Sequence, residues 1–485
     1  MRVLLLFTFF TTFLLIPSHC AKAQTEASDF SRIGHAAFFT ANVTDYQCVG
    51  INPANLGFEP TKDIYRLSTP VLWGIERSRR PLAFTFAEGG ASIHSDALPK
   101  SGLVDMLLQT NSIKFTNADK IEAAKAFADK GIRFSFDVIT AAVSYQTDDF
   151  GGLALTVRER ISGSFRFNES ASNLAFQGRH FDYFDSLALD WKGDTVGFAT
   201  QPQKFSELFD GTRLSMLWFR EVGLSYGVTV IESDDFSIQV GATGKYLMGY
   251  AYLDAYTSEK ALVAKSALSP VFGISYGTAT TPSFIPGTDF QSVGSGFGFD
   301  LGVTVSLENW AFSASVIDMG AIHWTGNVFL AKDTILNGLS STGFDSYNIF
   351  VEAPKITGDG NYFKWDGLQT ATSELPTRIR MGTAYRYSSK WKFGADAVIP
   401  LNSSSGALGQ AIVTAGAEYR PLKWLTIGSG IGGGGNMGMF MPLSIGFSIL
   451  DGIWEMGISS RDILLFVTDT QPVLGFTLGF MRFRF

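Results

Sequence analysis

The sequence predicts an all-β protein, a transmembrane antiparallel β-barrel of about 14 strands, within a range of about 12 to 16. Two observations carry this expectation: period-two segments joined by tight turns recur from residue 80 to residue 485, and the last strand ends on an aromatic. In a strand every second side chain shares a face. Met481, Phe483 and Phe485 therefore fall on one face and Arg482 and Arg484 on the other.

A closing strand of that kind resembles the C-terminal signal read by the barrel-insertion machinery of the outer membrane. Met481, Phe483 and Phe485 are its expected residues, although Gly479 stands one place further back than that signal usually has its glycine. At the other end, Arg2 precedes an apolar run from Val3 to Ile16, then Pro17 and Ala21-Lys22-Ala23. This fits a Sec signal peptide, residues 1–23, cut before Gln24. The run is too short to span a bilayer. Cys20 offers a rival reading as a lipid-modified cysteine, but Pro17-Ser18-His19 makes a poor lipobox. With the leader removed Cys48 is alone, so no intramolecular disulfide can form. Export without disulfides points to the Gram-negative envelope.

Composition agrees. Fifty-one glycines, 14% aromatics and only 17% charged residues suit many pleated strands with tight turns and aromatic girdles. A formal net charge of −7 argues against sequence-independent binding of nucleic acid.

The strands can be read in order. From Leu153 to Asn168, Leu153, Leu155, Val157, Ile161, Phe165 and Phe167 oppose Thr156, Arg158, Arg160, Ser162, Ser164 and Arg166, and only Glu159 breaks the alternation. Val222, Leu224, Tyr226, Val228 and Val230 alternate with Gly223, Ser225, Gly227 and Thr229; a turn at Ser233-Asp234-Asp235 leads into Phe236, Ile238, Val240 and Ala242. Ile379, Met381 and Tyr385 oppose Arg378, Arg380 and Arg386, and after Ser388-Ser389-Lys390 the next strand carries Lys392 and Asp396 on its polar face. Further turns fall at Arg420-Pro421-Leu422-Lys423 and Asp451-Gly452. The uncharged stretch Trp424 to Leu450 is long enough for a membrane helix. Its glycines and Pro442 disfavour one, so it reads as two strands around Gly433–Gly438.

Three regions lack alternation: residues 24–79, Gly102 to Lys130 and Ala331 to Leu375. The last two are expected as extracellular loops, with a short helix around Ala118–Asp129. In the first, Asn52-Pro53-Ala54 suits a turn or helix start, since Asn caps and Pro fits the first helical position. Just before the first strand of a barrel, that segment resembles the N-terminal hatch of FadL-like long-chain fatty acid transporter barrels and of related Bacteroidota outer-membrane proteins. Val316–Trp324 and the closing strand after Asp469-Thr-Gln-Pro472 resemble an uncharacterised Bacteroidota branch of that superfamily. The resemblance implies that residues 24–79 form a hatch or plug inside the barrel of residues 80–485, with Asn52, Pro53 and Ala54 as hatch residues. It matches no ligand-binding residue.

Chemistry is sparse. His35, His94, His180 and His323 show no metal-ligand spacing, and His323 reads as an interfacial or luminal hydrogen-bonding residue rather than a base. Gly428, Gly430 and Gly433 have dinucleotide-fingerprint spacing but precede a strand, not the helix that motif needs. No cofactor, metal or catalytic residue is expected. If the apolar faces meet lipid, then Arg158, Arg160, Arg166, Lys245, Arg378, Arg380, Arg386, Asp396, Glu418, Arg482 and Arg484 face the lumen, to pair with one another or the hatch or to attract an anionic headgroup. The leading expectation is a hatch-gated, porin-like channel for a small hydrophobic or amphipathic ligand. An accessory or scaffold barrel, with an envelope protein partner in an export or surface-assembly machine, is the alternative, and a soluble multidomain β protein a third.

Overall fold

The computed structural model describes residues 31–32, 35–58, 80–98, 114–147, 149–189, 193–233, 236–274, 276, 278–347, 352, 364–435, 438–464 and 473–485. Residues 1–23, expected as a signal peptide, and the remainder of 24–79 lie outside these residues.

Fourteen antiparallel strands close into a barrel. They are β1 (Leu82–Ser95), β2 (Gly131–Thr147), β3 (Gly151–Arg166), β4 (Arg213–Glu232), β5 (Phe236–Ser258), β6 (Gly294–Leu307) and β7 (Trp310–Trp324). After a long excursion come β8 (Ala371–Glu374 and Arg378–Arg386), β9 (Trp391–Pro400), β10 (Ile412–Leu422), β11 (Leu425–Gly434), β12 (Met439–Phe440 and Leu443–Ile449), β13 (Trp454–Ser460) and β14 (Val473–Arg484). Closure is made by β14 on β1, where Phe485 N–H donates to the Leu82 carbonyl at 2.8 Å and Leu82 N–H returns a bond at 3.0 Å. The stretch from Trp424 to Leu450 is thus two strands, as its glycines require.

Alternation sorts the wall. Outward positions such as Leu153, Leu155, Leu224, Tyr226, Phe297, Phe299 and Phe393 are exposed apolar side chains, while Thr156, Arg158, Glu221, Ser225 and Lys392 on the other face are buried. Such an outside is stable only against lipid, so the molecule is a transmembrane barrel turned polar-in. Glu159, the break in β3, does point outward, where it accepts bonds from Trp218 Nε1 at 3.0 Å and from Arg220.

Bulges locally reset the alternation. Phe480 and Met481 both face out, opposite the single Met456, and the neighbouring strands carry extra residues at Ala87 and Thr140. That extra residue in β14 accounts for the displaced Gly479. A second bulge, at Asp318 in β7, turns out to matter for the interior.

Long connections gather at one barrel end and short turns at the other. Helix α1 (Asn117–Phe127) is capped by Thr116 and packs with α2 (Glu169–Gln177) around Phe127, Phe167 and Phe176. Ala331–Leu375, expected as irregular loop, holds more strand than its composition suggests. Val328–Lys332 pairs with Lys364–Gly367 and with Ala261–Leu268, which extends β5 beyond the barrel rim.

Leu224 is 59% exposed on the outer face. Its replacement by Arg is expected to cost about 2–4 kcal/mol of insertion stability, the penalty of a cation near the bilayer midplane. Ser225→Ala, one residue along and facing inward, should cost far less. Folding into vesicles, followed by heat-modifiable mobility in gels, measures both; equal effects would contradict a lipid-facing Leu224.

Candidate functional site inside the barrel

Residues 35–58 lie inside the barrel and are buried throughout. Two short 3₁₀ turns, Asp45–Cys48 and Pro53–Gly57, shape them, the second capped by the Asn52 side chain accepting from Ala54 N–H at 3.2 Å. Asn52, Pro53 and Ala54 therefore form the helix start expected of that tripeptide.

Close approach to the wall depends on inward glycines. A Cβ on Gly241 would stand 2.4 Å from the Pro53 carbonyl, one on Gly302 1.9 Å from Asn52 Oδ1, and one on Gly430 2.5 Å from Ala37 Cβ. Gly428 and Gly430 thus belong to strand β11 under the segment, as their strand context implied.

Polar contacts then fix the segment to strands all round the wall. Asp45 accepts from Arg482 at 2.8 Å and from Arg484, and both arginines also reach Glu455, at 2.9 and 3.1 Å. Tyr46 Oη and Gln47 Nε2 donate to Glu88 at 2.7 and 2.9 Å. Burial, reinforced by the nearby Glu88 and Asp45 carboxylates, holds the Tyr46 phenol well above its ordinary range despite Arg482, so Tyr46 is the donor. Across the lumen Asp396 accepts from the Phe39 and Thr40 amides at 3.0 and 2.9 Å, while Arg380 lies over the Phe39 ring. Glu418 takes His35 Nδ1 at 2.7 Å and Asn42 Nδ2 at 2.8 Å, and Lys392 donates to Asn42 at 2.7 Å. Asn52 donates to Thr304 at 2.8 Å, and Gln146 to the Leu56 carbonyl at 3.0 Å.

A separate network has its centre at Asp318. It receives Arg160 at 2.8 Å, Lys245 at 2.7 Å and Arg378 at 3.3 Å; Lys245 also meets Asp300 at 2.7 Å, and Arg160 meets Glu221 at 3.1 Å. Arg158 pairs with Asp137 beside it. These charges are nearly fully buried. Each such ion loses several kcal/mol of hydration that only its partners restore.

Nine of the eleven charges placed inward by alternation are buried in this interior. Arg166 and Arg386 are on the inward parity but at strand ends: Arg166 at the long-loop rim, and Arg386 at the turn end, where it reaches Asn309 Oδ1 at 3.5 Å. His323 is exposed and shares a 3.2 Å hydrogen bond with Thr372 Oγ1. The interior also contains Glu88, Asp137, Glu221, Asp300, Asp318, Lys392 and Glu455, which the sequence reading did not select as site residues.

A different site lies at the long-loop end. Residues 268–274, 276 and 278–288 lie over the strand Val328–Lys332 and bound a half-open cleft of about 650 Å³ lined by Leu268, Ile274, Tyr276, Phe284, Ile285 and Phe329. Tyr276 stacks on Phe329 with ring centroids 3.7 Å apart, and burial pushes its phenol up to about 12.

A closed fourteen-stranded wall with an apolar outside and a charged, occupied interior defines an outer-membrane-type β-barrel. The chain belongs to the family of unknown function DUF5723, which matches residues 91–448. No curated protein matches it. Among solved structures it is similar to a monoaromatic hydrocarbon channel, a TodX deltaS2S3 mutant, at 10% identity and a TM-score of 0.43, covering 95% of this chain and 99% of the other. The Pseudomonas putida toluene transporter TodX gives 11% and 0.37, covering 92% and 99%. A Pseudomonas aeruginosa FadL homologue gives 10% and 0.36, covering 96% and 98%.

Asp45→Ala is expected to leave Arg482 and Arg484 short of a buried counter-charge, a loss of about 3–5 kcal/mol. Residues 35–58 should then become accessible to protease in detergent while the barrel keeps its heat-modifiable mobility. Arg386→Ala, at the turn end, should change neither; full protection in the Asp45 variant would show that this clamp does not hold the segment.

Proposed function

We propose that the chain is an integral outer-membrane barrel of a Gram-negative bacterium that passes a small hydrophobic or amphipathic compound when residues 35–58 move aside as a hatch. The observation that carries this reading is the apolar cleft of about 650 Å³ at the long-loop end. That end faces outward in barrels of this type, and a concave apolar lining is what a small ligand needs. The aromatic side chains there suit capture of an apolar compound from outside. The occupied lumen requires a moving part: beside apolar packing of Phe39, Ile51 and Leu56 on small wall side chains such as Ala83, Ala142 and Ala154, the segment is held by hydrogen bonds and ion pairs, which water can replace once it enters. No covalent step is involved. Asn52, Pro53 and Ala54, seated against Gly241 and Gly302, are residues that must leave the wall in this displacement.

A second reading is a non-transporting scaffold that docks an envelope protein partner. It is favoured by the strand Ser186–Leu189, the edge of a small three-stranded sheet, whose Leu187 and Leu189 are 54% and 70% exposed. An uncovered apolar edge of this kind is suited to pairing with another chain.

Asn52 and Thr304 side chains meet at 2.8 Å, so cysteines at both positions, in a Cys48→Ser background, should allow the segment to be cross-linked to β6. Oxidation is expected to abolish uptake of a hydrophobic probe into proteoliposomes, and reductant to restore it. Uptake unaffected by the cross-link would refute displacement of the segment. No uptake in either state, with an envelope protein co-purifying, would favour the scaffold.

A further inference from the structure

At the long-loop rim β3 and β4 set two arginines side by side. Arg166 and Arg213 are direct cross-strand partners on the face that continues the lumen. Like charges in that position repel and destabilise a sheet. Neither is well neutralised. Among the described residues the Arg166 Nε donates only to a backbone carbonyl, that of Asp129, at 3.3 Å, and Arg213 reaches Asp254 at 3.5 Å, with both residues partly exposed. Around them is a cleft of about 470 Å³ that Arg133 also lines. Asp96 and Asp129 line it too, but Asp96 is engaged by Arg133 at 2.7 Å. The floor supplies small polar groups: Ser164 and Ser215 share a hydroxyl bond at 2.8 Å, and the Tyr256 ring lies under Arg213 at 5.6 Å.

We infer that this cleft is an oxyanion site, in which a phosphate or carboxylate lies between Arg166 and Arg213 and removes their repulsion. Guanidinium groups in a fixed pair offer parallel N–H donors that match the oxygens of such a group. The site is separate from the contacts that hold residues 35–58, so it stands or falls independently of hatch displacement. Two sources share the chemistry, the headgroup of an amphiphile and a free anion.

The test uses the full-length protein in a neutral detergent, titrated calorimetrically with inorganic phosphate, octyl phosphate and uncharged octanol. Saturable binding of the two phosphates and none of octanol is expected. Tighter binding of octyl phosphate identifies an amphiphile headgroup, and equal binding a free anion; either supports the site. Arg166→Gln and Arg213→Gln should each weaken phosphate binding by about tenfold or more, the loss of one charge-assisted contact. Each should leave the ligand-free melting temperature unchanged or higher, because repulsion is relieved, while Arg386→Gln leaves binding intact. Absence of saturable phosphate binding, equal binding of octanol, or undiminished affinity in both variants would overturn the inference.

Discussion

A charge that points into a closed barrel has lost most of the water that would solvate it, and the wall's alternation delivers many such charges to the same space. Each strand must place every second side chain inward, so neutrality inside cannot be arranged strand by strand. It is reached across the lumen. Asp318 alone gathers Arg160, Lys245 and Arg378 from three strands, and Asp45 on the interior segment shares Arg482 and Arg484 with Glu455 on β13. Because burial without partners costs several kcal/mol per ion, these pairings tie the register of distant strands and the seat of the N-terminal segment to one electrostatic condition.

Packing sets the second condition. The segment's backbone comes closest to the wall where inward side chains are missing, and Gly241, Gly302 and Gly430 provide such places beneath Pro53, Asn52 and Ala37. The glycine content that first suggested turns therefore has a further source: part of it is a smooth inner surface on which a second layer of chain rests. The same layer puts Asn52 next to Thr304 and Thr40 next to Asp396, so steric fit and hydrogen bonding select the same position.

Much of this was legible in the sequence. Period-two alternation sorted Arg158, Arg160, Lys245, Arg380 and Arg482 to the inside, and the same rule applied to Phe297–Thr304 would have found Asp300, which alternates with Phe299 and Leu301. Glu221 was accessible in the same way from Gly223 and Ser225. Asp318 was not. Counting from Val316 puts it on the lipid face, and only a bulge with φ of 60° turns its carboxylate inward beside Ile317. Bulges insert a residue without any fixed residue type, so parity read along a chain fails wherever one occurs. Arg166 and Arg386 illustrate another limit, since alternation gives a face but not a height along the barrel.

Local periodicity and residues a few places apart were enough to define the barrel, its polar-in sense, the helix start at Asn52 and the closing strand. Which charges meet, how Asp318 is turned inward, where the glycines receive the segment and which loops enclose clefts at the rim emerged only from the closed, filled barrel. Those outcomes join residues hundreds of positions apart, as Asp45 and Arg482 are, and no local pattern encodes a distance across a lumen.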